Sequence, residues 1–152
     1  MSDDIIYYNH DEVDLGRLSD EDRDQVYLRF GPDDDMRLYD RGIRRRLAPM
    51  LNNDLKFLEL SYSLLFSLPG TPIVRYGEEL GMGDDLTLNE RLAIRTPMQW
   101  SKENNAGFST ARKAIRPVID TGAFGYHLVN VEDEENDSNS LLNFIKRVIQ
   151  LR

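Results

Sequence analysis

Ile5-Ile6-Tyr7-Tyr8-Asn9-His10-Asp11-Glu12 joins four apolar residues directly to a cluster of amide and ionisable side chains. Runs of about four β-branched and aromatic residues are typical of a strand that is buried on both faces. In barrel-type α/β proteins the chemistry lies at the carboxyl ends of such strands. The segment therefore predicts a buried strand that ends at the edge of a functional site.

A second segment of the same kind follows later in the chain. Thr71–Tyr76 is a short β-type run, and Glu78 and Glu79 come just after it. Between the two runs, residues 54–68 place apolar side chains at helical spacing and end at a Pro-Gly pair. A helix between two such strands is a βαβ unit, whose crossover makes the strands parallel.

Caps and breakers predict three further helices. One begins after Ser19 and stops before Gly31-Pro32, and another runs from about Met36 to Leu47. The last is capped by Ser138 or Ser140 and carries an apolar stripe: Leu141, Leu142, Phe144, Ile145, Val148, Ile149 and Leu151. We expect the acidic run before it, residues 132–137, to be a solvated turn.

A long loop is predicted between about residues 81 and 125, which are rich in Gly, Asn, Asp, Ser and Pro. Ordinary connections are far shorter, so a loop of this length is functional or disordered. Met98, Trp100 and Phe108 indicate that it folds down onto the rest of the protein.

Composition limits the classes of function. The chain has 152 residues, no cysteine and a formal charge of 19 − 27 = −8, so we expect neither disulfides nor a nucleic-acid partner. No apolar run is long enough to span a membrane, and the N-terminus lacks a secretory signal, so we expect a cytoplasmic protein. The basic cluster Arg44-Arg45-Arg46 is predicted to be a solvated, salt-bridged surface.

The cluster at residues 9–12 is open to several chemical interpretations. Metal binding is disfavoured because His127 is the only other histidine. Serine chemistry lacks a Gly-x-Ser-x-Gly elbow. Recognition of sugar hydroxyls remains, and so does a purely structural role in which Asp11 and Glu12 cap a turn.

Two other features have a functional and a structural interpretation. Glu78 and Glu79 either shape a cleft or balance the charge of Arg75. The single tryptophan, Trp100, is either a stacking surface for a sugar ring or an apolar anchor for the long loop.

Several motifs, in order along the chain, resemble the α-amylase superfamily of retaining α-glycoside hydrolases. Asn9-His10-Asp11 and residues 70–79 are similar to its seventh and eighth strand segments. Residues 14–18, 42–51 and 81–86 are similar to the branch that isomerises maltose to trehalose. Residues 95–101, Arg-Thr-Pro-Met-Gln-Trp-Ser, are shared with oligo-1,6-glucosidases and α-glucosidases.

The resemblance implies an α/β fold, a (β/α)₈ TIM barrel, of which residues 1–152 supply the last two strand-helix units and the long loop, with no second domain. It assigns Asp11 to stabilising the oxocarbenium-like transition state, His10 to ring hydroxyls and Asn9 to holding the turn. Glu12, Asp14 and Arg95 become candidates for the substrate-binding rim. The implied substrate is maltose, trehalose or another α-glucoside, and no cofactor or metal is expected.

In that family the aspartate nucleophile and the glutamate acid/base lie on strands that precede this segment. We therefore expect a part of a glucosyl-transferring enzyme that is inactive alone and is completed by the preceding barrel portion. The alternatives are a non-catalytic or decayed fragment that self-associates or binds sugar weakly, and, within the family, a hydrolase.

Overall fold

The structure, a computed structural model, describes residues 13–152. The helices are α1 (Asp20–Phe30), α2 (Leu47–Met50), α3 (Leu55–Ser67), α4 (Val131–Asn136) and α5 (Leu141–Leu151). The strands are β1 (Val13–Asp14), β2 (Arg37–Leu38) and β3 (Gly42–Ile43). Short turns of 3₁₀ type occur at Asp34–Met36, Glu78–Leu80, Glu90–Ile94 and Gly122–Phe124. The predicted first strand lies outside the described residues.

Helix α1 confirms the prediction made from its caps. The Ser19 hydroxyl accepts a hydrogen bond from the backbone N–H of Asp22 at 3.1 Å, and the N–H of Gly31 closes the other end on Tyr27. Acidic residues in the first turn stabilise the N-terminal end of the helix, because the helix dipole is positive there. Tyr27 is buried and packs with Leu15 and Ile43 in a small apolar cluster.

The prediction of a helix from Met36 to Leu47 is wrong. The chain instead forms an antiparallel hairpin of β2 and β3, and β1 pairs with the other edge of β3. Tyr39 and Asp40 make the turn with positive φ angles of 55° and 53°. The helical pattern is overridden by tertiary contacts, because extended backbone after β3 lets three consecutive arginines reach different partners.

Helices α3 and α5 pack together and form the main core. The Asp54 carboxylate caps α3, and Ser140, one of the two predicted caps, caps α5 by accepting from the N–H of Asn143 at 3.2 Å. The buried side chains on the facing sides of the two helices are Leu58, Tyr62, Leu65, Phe66, Leu141 and Ile145. The C-terminal end of the predicted α5 stripe is not core, since Ile149 and Leu151 are exposed. None of the helices within residues 13–152 combines the length and apolar character that crossing a membrane requires.

The acidic run that was predicted to be a turn is helix α4. Asn130 caps it by accepting from the N–H of Asp133 at 2.9 Å, and its own amide donates to the carbonyl of Tyr126 at 3.0 Å. Three acids in the first turn, which suggested solvent exposure, also suit the positive end of a helix dipole.

The strand predicted over Thr71–Tyr76 does not form among the described residues. A strand needs a hydrogen-bonded neighbour, and the only sheet in residues 13–152 is the antiparallel one of β1, β2 and β3. The predicted parallel partner lies outside the described residues.

The prediction of a long loop is confirmed, since residues 81–125 contain only short turns. Met98 is buried with Leu80 and Met82, which ties the loop to the core. Trp100 and Phe108 differ from the prediction, because they are 49% and 52% exposed.

Candidate functional site

An open cleft of about 760 Å³ lies between the segment after α3 and the long loop. One side contains Tyr76 and Glu79, and the other is built from residues 95–116. The lining is mainly apolar and includes the aromatic side chains of Tyr76, Trp100 and Phe108. Glu79, Arg95, Lys113 and Arg116 supply charged groups of both signs.

Among the described residues, Glu79 is the one carboxylate in the lining of this cleft. Burial raises the pKa of its side chain, while the backbone N–H groups of Glu79 and Gly77 oppose the rise. A half-buried carboxylate is a strong acceptor for hydroxyl groups. This placement favours the interpretation in which Glu79 shapes a cleft.

Glu78 has a structural role, but the arginine that it pairs with is the buried Arg46 and not the predicted Arg75. Arg46 Nη1 lies 3.0 Å from Glu78 Oε1, and the backbone N–H of Leu47 donates to Glu78 Oε2 at 3.3 Å. Burial raises the pKa of the Glu78 carboxyl, against the opposing effect of the Arg46 charge. The Tyr62 hydroxyl adds a bond to the Glu78 carbonyl at 3.1 Å. Glu78 is therefore a structural anchor directly before Glu79.

The prediction that Arg44-Arg45-Arg46 forms a solvated surface is wrong. Arg44 is 7% exposed and Arg46 is 1% exposed. Arg44 donates to backbone carbonyls of the loop, including those of Leu88 at 2.6 Å and Glu90 at 3.0 Å. Arg45 pairs with the largely buried Asp84 at 3.3 Å.

Arg46 forms hydrogen bonds to both of the segments that border the cleft. Its guanidinium donates to the carbonyl of Tyr76 at 3.0 Å and to that of Ile94 at 3.2 Å. The Tyr76 hydroxyl donates in turn to the carbonyl of Thr96 at 2.9 Å. These bonds join the segment that carries Glu79 to the segment that carries Arg95.

A left-handed turn shapes the outer wall of the cleft. Asn105, Ala106 and Gly107 have φ angles of 54°, 58° and 67°. A side chain at Gly107 would approach Ser101 Oγ to 2.5 Å and would be strained by the positive φ, so this position favours glycine. This turn was not predicted, although Asn and Gly within residues 104–107 are a signal for left-handed backbone.

The structure separates the predicted site residues. Arg95 lines the cleft. Asp14 is exposed on β1, where its carboxylate accepts from the N–H of Gly16 at 2.8 Å, and it does not line this cleft. Asn9, His10, Asp11 and Glu12 lie outside the described residues, so their roles remain predictions. Within residues 13–152 no cluster of three or more His, Asp or Glu side chains is placed to hold a metal ion.

Residues 40–152 match the α-amylase catalytic domain, so the chain belongs to the α-amylase family. Over 150 residues it is 45% identical to the trehalose synthase/amylase TreS of Mycolicibacterium smegmatis. The aligned region covers 97% of this chain and 25% of TreS. The match to the human amino acid transporter heavy chain is 41% over 104 residues, or 64% of this chain and 14% of that protein.

Solved enzymes of the same family share the fold. The trehalose-6-phosphate hydrolase of Bacillus licheniformis superposes with a TM-score of 0.60 at 26% identity, over 70% of this chain and 25% of that one. The chain therefore spans about a quarter of the length of TreS and of this hydrolase.

Proposed function

We propose that the chain is the C-terminal portion of an α-amylase-type catalytic barrel, from the seventh strand to the last helix, in an enzyme that transfers α-glucosyl groups. The particular reaction we assign is the isomerisation of maltose to trehalose by a retaining mechanism. The observation that carries the proposal is the open cleft that brings Glu79, Arg95 and three aromatic side chains together in a chain of this family. Aromatic faces suit the C–H side of a pyranose ring, and carboxylate and guanidinium groups suit its hydroxyls.

In this proposal Asp11 stabilises the transition state. Hydrogen bonds from a sugar to a carboxylate next to the anomeric centre strengthen as positive charge develops there, which is differential binding of the transition state. His10 donates to ring hydroxyls and Asn9 holds the turn. Glu12 and Arg95 are assigned to the rim around the acceptor glucose, and Asp14 is assigned to that rim from β1, outside the cleft that Arg95 lines.

Retaining chemistry needs two further carboxyl groups, about 5 Å apart, one as nucleophile and one as acid/base. We assign both to barrel units that precede this segment in the family. The chain alone is then catalytically silent, and activity appears only when those units complete the barrel.

The outer side of α3 is the surface that we assign to those units. Leu60 and Leu64 are 63% and 47% exposed on the side opposite the buried Leu58 and Tyr62. A helix that is apolar on both sides is normally covered on both sides. The superposed hydrolase is about four times longer than the part this chain matches, so its fold has further units to cover such a surface.

One observation favours a second candidate, a non-catalytic association module. The human relative is named as the heavy chain of an amino acid transporter and carries no enzyme name. In that case the exposed side of α3 binds a partner or a second copy, and no sugar chemistry follows.

A complementation assay tests the proposal. The purified chain is incubated with maltose alone and after co-expression with a polypeptide that carries the first six strand-helix units of a trehalose synthase. We expect no trehalose or glucose from the chain alone and trehalose from the mixture. Asp11→Asn should lower that activity by roughly a hundredfold or more, as removal of other transition-state contacts does. Asp24→Asn, on the exposed side of α1, is the matched control.

Turnover by the purified chain that is lost in Asp11→Asn would contradict the requirement for the preceding units. Failure to recover activity in a soluble, co-purifying mixture would contradict the assignment as an enzyme segment and favour the association module. Glucose in place of trehalose would assign the chain to the hydrolases of the family.

A further inference from the structure

We propose that Trp100 and Phe108 form a stacking platform for a pyranose ring, so that the 152-residue chain binds an α-glucoside on its own. The inference rests on the proposed function for the class of ligand. It concerns residues other than the predicted Asn9–Glu12 cluster, and it assigns the only tryptophan of the chain to ligand binding.

The two aromatic side chains are exposed where the fold had a buried alternative. Met98, two residues before Trp100, is buried in the core, whereas Trp100 and Phe108 are both about half exposed and line the same cleft. Large aromatic side chains bury much of their surface when nothing else is required of them. Their exposure in the cleft leaves both rings accessible to a ligand.

The backbone under the platform is fixed from both sides. The N–H of Trp100 donates to the carbonyl of Ala106 at 2.8 Å, and the N–H of Glu132, in α4, donates to the carbonyl of Trp100 at 3.1 Å. The N–H of Phe108 donates to the carbonyl of Asn105 at 3.0 Å. The left-handed turn at residues 105–107 thus connects the two backbone segments that carry these side chains.

One buried amide orders the segment that follows Phe108. Asn105 Nδ2 donates to the carbonyls of Ala111 at 2.6 Å and Ser109 at 3.2 Å, and Asn105 Oδ1 accepts from the N–H of Ala114 at 3.2 Å. These bonds order residues 109–114 without a strand or helix. This part of the cleft lining is therefore ordered without a ligand, which lowers the conformational entropy that binding must overcome.

Polar groups stand at the edge of the apolar surface. Glu79 offers carboxylate oxygens as acceptors and Arg95 offers guanidinium donors within the same lining. The cleft volume of about 760 Å³ falls in the range of small-ligand sites. An aromatic floor with a few polar groups at its edge fits a ring that has C–H faces and equatorial hydroxyls, which is a pyranose.

The fluorescence of Trp100 is a direct reporter, because no other tryptophan contributes to the emission. The folded full-length chain is titrated with maltose and trehalose, and with sorbitol as an acyclic polyol that has hydroxyls but no ring face. We expect a saturable change in emission with the two disaccharides and none with sorbitol. Isothermal titration calorimetry gives the affinity independently of the emission.

Two variants locate the binding. Phe108→Ala and Glu79→Gln should each weaken maltose binding, Phe108→Ala by roughly threefold to tenfold, the range of an aromatic contact. Leu28→Ala, which shortens a strongly exposed apolar side chain on α1, should bind maltose as the natural chain does. Circular dichroism of each variant shows that the fold is kept.

A folded chain that shows no saturable response to maltose overturns the platform, and so does an equal response to sorbitol. Phe108→Ala binding as tightly as the natural chain overturns it as well. The test uses no enzyme activity, so its failure is separate from failure of the complementation assay.

Discussion

At the residue scale, the single side chain of Arg46 joins several parts of the chain. It is almost completely buried and donates to Glu78 Oε1 and to the carbonyls of Tyr76 and Ile94. The charge is tolerated because a carboxylate and carbonyl oxygens surround it. Removing one partner of such a pair leaves an unpaired buried charge, which is far more harmful than removing both.

We predict that Arg46→Ala lowers the free energy of unfolding by about 3–5 kcal/mol. Arg112→Ala, at an exposed position in the same loop region, should change it by less than about 0.5 kcal/mol. Denaturant unfolding followed by circular dichroism measures both. The double variant Arg46→Met with Glu78→Met should lose less than the sum of the two single losses. Equal small losses for Arg46→Ala and Arg112→Ala would contradict the role of the buried pair.

Glu134 is the titrating residue at the junction of α4 and α5. Its Oε2 accepts from the N–H of Leu142 at 3.0 Å, and its carbonyl accepts from Ser140 Oγ at 2.7 Å. Burial, with the nearby charges of Glu79 and Asp137, raises the pKa of Glu134 to about 7. The protonated form is therefore favoured in the folded state.

Linkage then sets the sign of the pH dependence. The folded state binds more protons than the unfolded state from the ordinary glutamate pKa up to about 7, so this contribution to stability is complete at lower pH and is lost as pH rises through that range. We predict that Glu134→Gln, which keeps the acceptor for Leu142, flattens the decline in unfolding free energy across this interval. Glu132→Gln, exposed on the same helix, should leave the decline unchanged. Unfolding curves recorded at several pH values compare the two variants.

At the scale of elements, α3 is apolar on two sides. Its inner side is covered by α5, and its outer side exposes Leu60 and Leu64. The outer side contributes little to the stability of the chain alone, because these side chains stay in water. Under the proposed function it contributes to association with the preceding barrel units.

We predict that Leu60→Glu leaves the unfolding free energy of the isolated chain within about 0.5 kcal/mol, since the position is exposed. The same change should reduce recovered activity in the complementation assay, because it places a charge in an apolar interface. Leu28→Glu, on α1 and also exposed to solvent, should reduce neither quantity. Full activity with Leu60→Glu would exclude this side of α3 as the contact surface.

Elements with local signals were predictable, and elements set by distant contacts were not. Ser19, Asp54 and Ser140 mark helix starts because a cap is a property of three or four neighbouring residues. The hairpin at residues 37–43 has no such signal, since its geometry depends on where the arginines that follow find acceptors. The acidic run of α4 was misinterpreted for a related reason: its Asn130 cap was not recognised as one.

At the scale of the whole molecule, the cleft is a product of the long loop and of the side chains that bind it. The loop has no regular structure of its own, and contacts from Arg44, Arg46 and Gln99 replace a sheet or helix as its support. Gln99 is fully buried and donates to the carbonyls of Val129 and Phe124. Buried side chains that satisfy loop carbonyls make such a loop as fixed as a regular element.

The sequence by itself determined the family, the helices α1, α3 and α5 and the presence of a long loop, because short motifs, caps and composition are local properties. It also marked Arg95 and Glu79 as candidate site residues. Only the tertiary structure decided that Glu78 is an anchor and Glu79 a cleft residue, that Arg44 and Arg46 are buried, and that Trp100 faces the cleft. These outcomes depend on contacts between residues 20 to 50 positions apart, such as Arg46 with Glu78 and Ile94, and on desolvation, which no local pattern encodes.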